Sequence, residues 1–413
     1  MTSEERREAR YQRRKRAREE KRRARSAECG SFEEVFSYEN LYQSAKLCCR
    51  NVAWKSSTQA YRFNVVVNIE KTRKELMSGE YRGRGFVEFD LRERGKLRHI
   101  KSVHISERVV QRTLCDKAII PLLTPLLIYD NGASLQGKGI DFALNRTTCH
   151  LQRHWRKHGN KGYVLLFDFS SYFENADHRP VKKELERRVH DERIRNLANQ
   201  CLDNFGDKGY GLGSQISQIA AITLPSKLDH TIKEELKIKG YARYMDDAYL
   251  IHEDKAYLEF CLERIKEVCE ELGIVLNPRK TKIRKLENGF DFLKVRFKLK
   301  ENGKVLRKMS YQSAKIMRRK LKKFRRWNDE GRWVRIGEQM VHKEFALEDT
   351  CKAYSSWRSH MMRGDNYFML KKMDKYFEEI FDINPNDRIA WKSVFEKKEG
   401  IECIESLMLR QAH

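Results

Sequence analysis

The spacing of apolar residues changes period several times along the chain. From Phe32 to Met77 they recur at helical intervals, as in "ENLYQSAKLCCRNVAW" and "NVVVNIEKTRKELMSG", and Gly79 closes the second run. "GFVEFDLRERGKLRHIKSV" alternates apolar and charged residues around a glycine, the pattern of a basic β-hairpin. "ERVVQRTLCDKAIIPLLTPLLI" reads as a buried helix that breaks near Pro121 and Pro125. "GYVLLFDFSSYFENADH" predicts a buried strand, a turn and a helix beginning near Asp177, and "YGLGSQISQIAAITLPSKLDHTIKEEL" a glycine turn feeding one long helix. Two short strands then meet at residues 245–247 in "GYARYMDDAYLIHED". A helix through "YLEFCLERIKEVCEELG", a strand over "IVLNPRKTKIRKL" and a hairpin in "NGFDFLKVRFKL" follow.

Strand, helix, strand and strand, helix, strand is the split βαβ order of a ferredoxin-like sheet, which predicts one helix-covered face and one open face. From about Lys308 the chain turns helical and basic. Ala314, Met317, Leu321 and Phe324 form one stripe, and Arg318, Arg319, Lys322 and Lys323 surround it.

Charge then narrows the class. Lys and Arg outnumber Asp and Glu by 85 to 59, a net +26, which favours a polyanionic partner such as nucleic acid. Residues 1–28 are almost wholly charged and read as a solvated helix or a disordered arm, serving either as a solubilising face or as a nucleic-acid-binding arm. The ten cysteines lack the paired spacing of zinc or redox sites and read as reduced thiols. No signal-peptide core or membrane-length apolar run occurs, so a cytoplasmic protein without a membrane partner is expected.

Asp246 and Asp247 are adjacent carboxylates within a strand-forming run, and they repel unless a cation compensates. Asp168 ends the buried strand "VLLFD", which in a ferredoxin-like sheet can lie beside the 240–252 hairpin. Three carboxylates at one sheet end suit two Mg²⁺ ions, with Mn²⁺ as an alternative, each sharing its shell with substrate phosphates.

With these residues in place, the sequence resembles reverse transcriptases. "FDFSSYF", "GLGSQISQ", "YMDD", "LNPRKTKI" and "FDFLKVRF" resemble five of that family's motifs, in order and at similar separations. The resemblance implies an α+β right-hand polymerase fold with a ferredoxin-like palm. It assigns 1–28 to a basic arm, 29–300 to fingers and palm, 301–385 to a helical basic thumb and 386–413 to a C-terminal tail. It also implies that Asp168 and Asp246 are the principal metal ligands and Asp247 the assisting acid. Lys280 matches a lysine that protonates pyrophosphate, with Lys282 close by. Lys96 and Arg98 match residues that hold the triphosphate, and Phe173 a gate against the ribose 2′-hydroxyl. Gly213 and Gln218 belong to the nucleotide-facing motif, while Arg318, Arg319, Lys322 and Lys323 would track nucleic-acid phosphates. Lys294 stands where the family usually has a glycine.

Leu212 replaces the glutamine usual before Gly213, and Gln218 replaces a proline. That pattern resembles the enzymes of diversity-generating retroelements and of bacterial anti-phage defence. The implied activity is RNA-directed DNA synthesis from deoxynucleotides on a cognate non-coding RNA, primed by DNA, RNA or a protein hydroxyl. The defence role comes first, and error-prone copying of a template repeat with an accessory protein is the alternative. A homo-oligomer fits either role, and a catalytically silent RNA-binding module comes last.

Overall fold

The computed structural model describes residues 2–387, apart from 51, 94, 95, 337 and 338, together with 389, 391, 393 and 394. The chain divides into two compact units, Met1–His150 with Gly162–Ile283, and Leu151–Lys161 with Arg284–His413. The division at 283/284 precedes the palm and thumb division at 300 expected from sequence.

The first unit opens with α1 (Ser3–Glu28), α2 (Phe32–Val35), α3 (Tyr38–Cys49), α4 (Ser56–Phe63) and α5 (Val65–Ser78). Thr2 with Glu5, and Ser31 with Glu34, form capping boxes that start α1 and α2. Gly79, at φ 73°, ends α5. β1 (Phe86–Glu93) and β2 (Lys96–Val103) form the expected antiparallel hairpin. After α6 (Ile105–Leu114), the break near Pro121 takes the form of a π turn, Cys115–Ile119, leading into α7 (Ile120–Leu123). Pro121 sits in the first turn of α7, where a missing N–H costs little, and a 3-10 turn containing Pro125 ends the run.

α8 (Ile140–His158) leads to β3 (Tyr163–Asp168), α9 (Tyr172–Asn175), α10 (Arg179–Arg188) and α11 (Glu192–Asp203). The long helix expected after the glycine turn is divided into α12 (Gln215–Thr223) and α13 (Ser226–His230), because Pro225 has no N–H to continue the ladder. β4 (Gly240–Tyr244), β5 (Asp247–His252), α14 (Lys255–Glu271) and β6 (Lys282–Lys285) complete the series. The strand expected over "IVLNPRKTKIRKL" is also divided: Leu276 bridges Phe169, residues 278–280 turn, and β6 begins at Lys282.

These strands form one sheet in the order β4, β5, β3, β6, with β5 antiparallel to both neighbours. This is the split βαβ order. The expected open face is not found at its centre: residues 164–168 and 248–251 are buried consecutively, as strands covered on both sides must be. α14 packs Leu258, Cys261 and Ile265 into the core that holds Leu165, Phe167 and Leu250. On the opposite face Tyr249 OH and His150 Nδ1, from α8, lie 2.9 Å apart. Full burial of a side chain such as Leu165 or Leu250 contributes about 2 kcal/mol.

The second unit contains a three-stranded antiparallel sheet of β7 (Phe290–Phe292), β8 (Val295–Leu299) and β9 (Val305–Met309). Leu293 and Lys294 join β7 to β8 with φ 50° and 66°, left-handed values that a two-residue hairpin turn requires. α15 (Tyr311–Glu330), α16 (Leu347–Met361) and α17 (Tyr367–Phe381) pack Met317 and Leu321 against Tyr354 and Phe377. Trp357 packs here too, its Nε1 donating to Ser313 Oγ at 3.0 Å. The region expected to be helical also carries an antiparallel hairpin, β10 (Arg332–Ile336) and β11 (Gln339–Lys343), where the central Val334 and Val341 pair and suit a strand. Most of the expected tail, 386–413, lies outside the described residues. Among those described, no helix is long and apolar enough to cross a membrane.

Candidate active site

β3 ends on Asp168, whose partner across the ladder is Asp247, the first residue of β5. Tyr244 also pairs with Asp247, so β4 and β5 join through a two-residue turn, Met245 and Asp246. Met245 adopts φ 55°, a left-handed conformation that is costly for a residue with a side chain. Phe169 N donates to Asp246 O at 3.2 Å and ties the turn to the residue after Asp168. The ladder and this bond bring Asp168, Asp246 and Asp247 to one end of one sheet.

The turn after Leu276 supplies a positive charge. Asn277 N donates to Asp168 O at 2.8 Å, and Lys280 Nζ donates to Asp168 Oδ2 at 2.6 Å. Asp168 is only 4% exposed, whereas the Lys280 side chain is 53% exposed, so the lysine enters from the solvent side. Burial pushes the Asp247 carboxyl up to about 6, the charges of Asp168 and Asp246 add to the rise, and Lys280 opposes it. Burial works against the Lys280 charge, but the hydrogen bond to Asp168 and the charges of Asp168, Asp247 and Asp246 prevail and raise its pKa. One lysine thus faces three acids, and the imbalance favours a further cation.

Among the described residues, no three or more His, Cys, Asp or Glu side chains gather into a metal cage. The donor set of Asp168, Asp246 and Asp247 still fits a hard divalent ion of the kind that keeps waters and shares substrate phosphates.

A cavity of about 560 Å³ is lined by Asp168, Asp246, Lys280, Asn277, Phe173 and Leu212, and also by Leu97, His99 and Lys101 of β2. Phe173 lies on α9, and its carbonyl accepts a 2.6 Å hydrogen bond from Tyr210 N. A side chain at Gly209 would press to 2.7 Å from Glu174 O, so this segment and the 209–210 strip are closely apposed. Gly213 and Gln218 do not line the cavity. Gly213 has open space around it and is needed for its φ of 101°, and Gln218 is exposed on α12. Lys96 and Arg98 lie on β2, and their side chains fall outside the described residues. Arg318, Arg319, Lys322 and Lys323 are exposed on α15 in the second unit. Arg318 lies over the Tyr376 ring at 4.4 Å, and Lys323 over Trp327 at 4.5 Å.

Several residues at the site were not singled out from sequence. His99 sits between Asp90 Oδ1 and Glu88 Oε2, each 2.9 Å away, and those bonds raise its pKa. The strand period of Leu97, His99 and Lys101 was the available signal. Arg243 is buried beneath the Met245 turn, to whose carbonyl its Nη1 donates at 3.0 Å. No local pattern marks it.

Residues 90–297, just over half of the chain, match the family model described as reverse transcriptase (RNA-dependent DNA polymerase). Protein YkfC of Escherichia coli is 24% identical over 279 residues, covering 55% of this chain and 71% of YkfC. Among solved structures, telomerase from Candida albicans, in complex with a fragment of telomeric RNA, is 13% identical with a TM-score of 0.41 over 74% of this chain. Apo telomerase from Candida tropicalis, truncated from its C-terminal domain, is 14% identical with a TM-score of 0.40 over 54% of this chain. The chain spans 59% and 54% of those two telomerase chains.

Proposed function

Since the chain belongs to the reverse transcriptase (RNA-dependent DNA polymerase) family, we propose that it copies RNA into DNA at the end of the β3 and β5 ladder. The observation that carries this reading is the convergence of Asp168, Asp246 and Asp247 on one sheet end, with Lys280 bonded to Asp168 beside a cavity. Residues 29–300 supply fingers and palm in this reading, and 301–385 the thumb.

Asp168 and Asp246 hold divalent metal, and Asp247 adds negative charge beside them. A divalent ion such as Mg²⁺ held by these carboxylates would supply Lewis acidity toward a primer 3′-hydroxyl and the departing pyrophosphate. Lys280, already charged, donates a proton or a hydrogen bond to the leaving group. Phe173 presents its ring to the sugar of the incoming nucleotide and excludes a 2′-hydroxyl. Lys96 and Arg98 neutralise the triphosphate, and Arg318, Arg319, Lys322 and Lys323 follow the duplex backbone. Gly213 and Gln218 shape the turn and helix next to Leu212.

The template we favour is a dedicated non-coding RNA in bacterial anti-phage defence. Error-prone copying in a diversity-generating element is the second reading, supported by Leu212, which lines the cavity where related enzymes carry a glutamine. The test is primer extension with purified protein, an annealed RNA template and primer, Mg²⁺ and dNTPs. Incorporation by wild type and its loss in Asp246→Ala are expected. No incorporation by wild type, or equal incorporation by the variant, defeats the proposal.

A further inference from the structure

α1 carries twelve basic and six acidic residues, and its apolar content is four alanines and Tyr11. No residue of this helix is buried, so packing does not account for its composition. Arg7, Arg10, Arg14, Arg18 and Arg22 recur every three or four residues and therefore share one face. That face lines a groove of about 880 Å³, with Arg187 of α10 on the other wall. Eight basic side chains and two acidic ones, Glu19 and Glu186, line the groove.

The helix is held in place at its far end, where His190 N donates to Ser26 Oγ at 3.2 Å. Burial lowers the pKa of Arg188, Glu184 opposes that, and Arg22 adds repulsion from α1. Arginines held this close along one groove favour an anion between the walls.

We propose that the groove between α1 and α10 is a second nucleic-acid site, which grips the phosphate backbone of a structured RNA away from the polymerising centre. From Arg7 to Arg22 the basic face extends about 22 Å at 1.5 Å per residue. That length spans about six phosphates at the roughly 3.4 Å spacing of a B-form strand, and more along the shorter rise of an A-form RNA duplex. A membrane surface fits less well, because a helix lying in lipid needs bulky apolar residues opposite its charges and α1 has only Tyr11. The choice of RNA as the polyanion rests on the RNA-templated reading above. Anchoring the template here would keep it on the enzyme while its end moves through the active site.

The test compares the full-length chain with a variant carrying Arg7→Gln, Arg10→Gln, Arg14→Gln, Arg18→Gln and Arg22→Gln, and with one carrying Lys at the same five positions. Binding of an RNA hairpin is measured between about 50 and 200 mM KCl. The glutamine variant should lose about four units of the slope of log K against log salt, and about 1,000-fold in affinity at about 50 mM KCl, a deficit that narrows about 250-fold by about 200 mM. The lysine variant should keep both. Equal binding by wild type and the glutamine variant overturns the proposal, as does equally tight binding of wild type to phosphatidylserine vesicles. dNTP incorporation on a short annealed template and primer is read on the same preparations. Groove-dependent RNA binding without incorporation removes the polymerase reading and keeps the groove; incorporation with groove-independent RNA binding removes the groove alone.

Discussion

Arg243 and Asp229 form an ion pair in which both side chains are fully buried: Nη2 lies 2.6 Å from Oδ2, and Nε lies 2.9 Å from Oδ1. Tyr241 OH donates to the same carboxylate at 2.6 Å, and the remaining guanidinium donors reach Ile222 O at 2.9 Å and Met245 O at 3.0 Å. The pair therefore joins α13, the end of α12 and the left-handed Met245 turn that presents Asp246. Removing one partner leaves an uncompensated buried charge, so Arg243→Ala should cost about 3–5 kcal/mol in urea unfolding. Arg243→Lys keeps the charge but cannot supply the forked donors. It should fold with a smaller loss and lower kcat for primer extension by about tenfold. Wild-type kcat in the lysine variant would show that the turn does not depend on this guanidinium.

Lys280 neutralises Asp168 from the solvent side and so competes with any divalent ion for the same oxygen. Lys280→Ala should lower the Mg²⁺ concentration needed for half-maximal extension while reducing kcat about 10- to 100-fold, the loss that the proposed donation to the leaving group requires. Steady-state rates over a Mg²⁺ titration give both quantities. An unchanged kcat would confine the lysine to charge balance.

The convergence of Asp168, Asp246 and Asp247 is legible in the sequence because each lies at a strand end and the alternation of helices and strands fixes the sheet order. Lys280 is reached only through the resemblance of "LNPRKTKI", since the turn that carries it lies inside the strand expected there. Arg243 is not legible. Two residues before Met245 it reads as an ordinary strand arginine, and its burial depends on Asp229 arriving from a separate helix. The covered second face of the sheet escapes for the same reason, since its cover includes His150, ninety-nine residues from Tyr249. The break at Pro225 is a local feature that the expectation of one long helix passed over, because a proline mid-helix removes a donor wherever it occurs. The β7 to β8 turn is another local feature. Leu293 and Lys294 occupy left-handed conformations without glycine's freedom.

Glu107 gives a pH-dependent test. It is 5% exposed, its Oε1 accepts from Arg84 N at 2.9 Å, and its Oε2 has no hydrogen-bond partner. Burial raises its pKa, with backbone bonds from Arg84 and His104 and the Arg84 charge opposing. A carboxyl whose folded pKa is raised binds its proton more tightly in the native state, so its contribution is present in acid and lost as pH rises through the folded value. Glu107→Gln should therefore gain stability over wild type at pH 8 and show little gain near pH 4, by urea unfolding at both. A gain that does not grow with pH would mean that the ionised carboxylate is not the destabilising element.

Phe173 is positioned by its backbone. Tyr210 N donates to its carbonyl at 2.6 Å, Gly209 N donates to Ala176 O at 2.8 Å, and Ser171 before α9 adopts φ 44°. The ring packs edge-on against Tyr172, with centroids 5.8 Å apart, on the wall of the cavity that holds Asp168 and Asp246. Because neighbouring backbone bonds hold the segment, Phe173→Ala should enlarge the cavity without moving the carboxylates. Discrimination between dCTP and CTP, measured as the ratio of kcat/KM values, should then fall about 100-fold, equivalent to about 2.7 kcal/mol, with kcat for dCTP within about threefold of wild type. If selectivity is retained while kcat for dCTP collapses, Phe173 supports the carboxylates and does not gate the sugar.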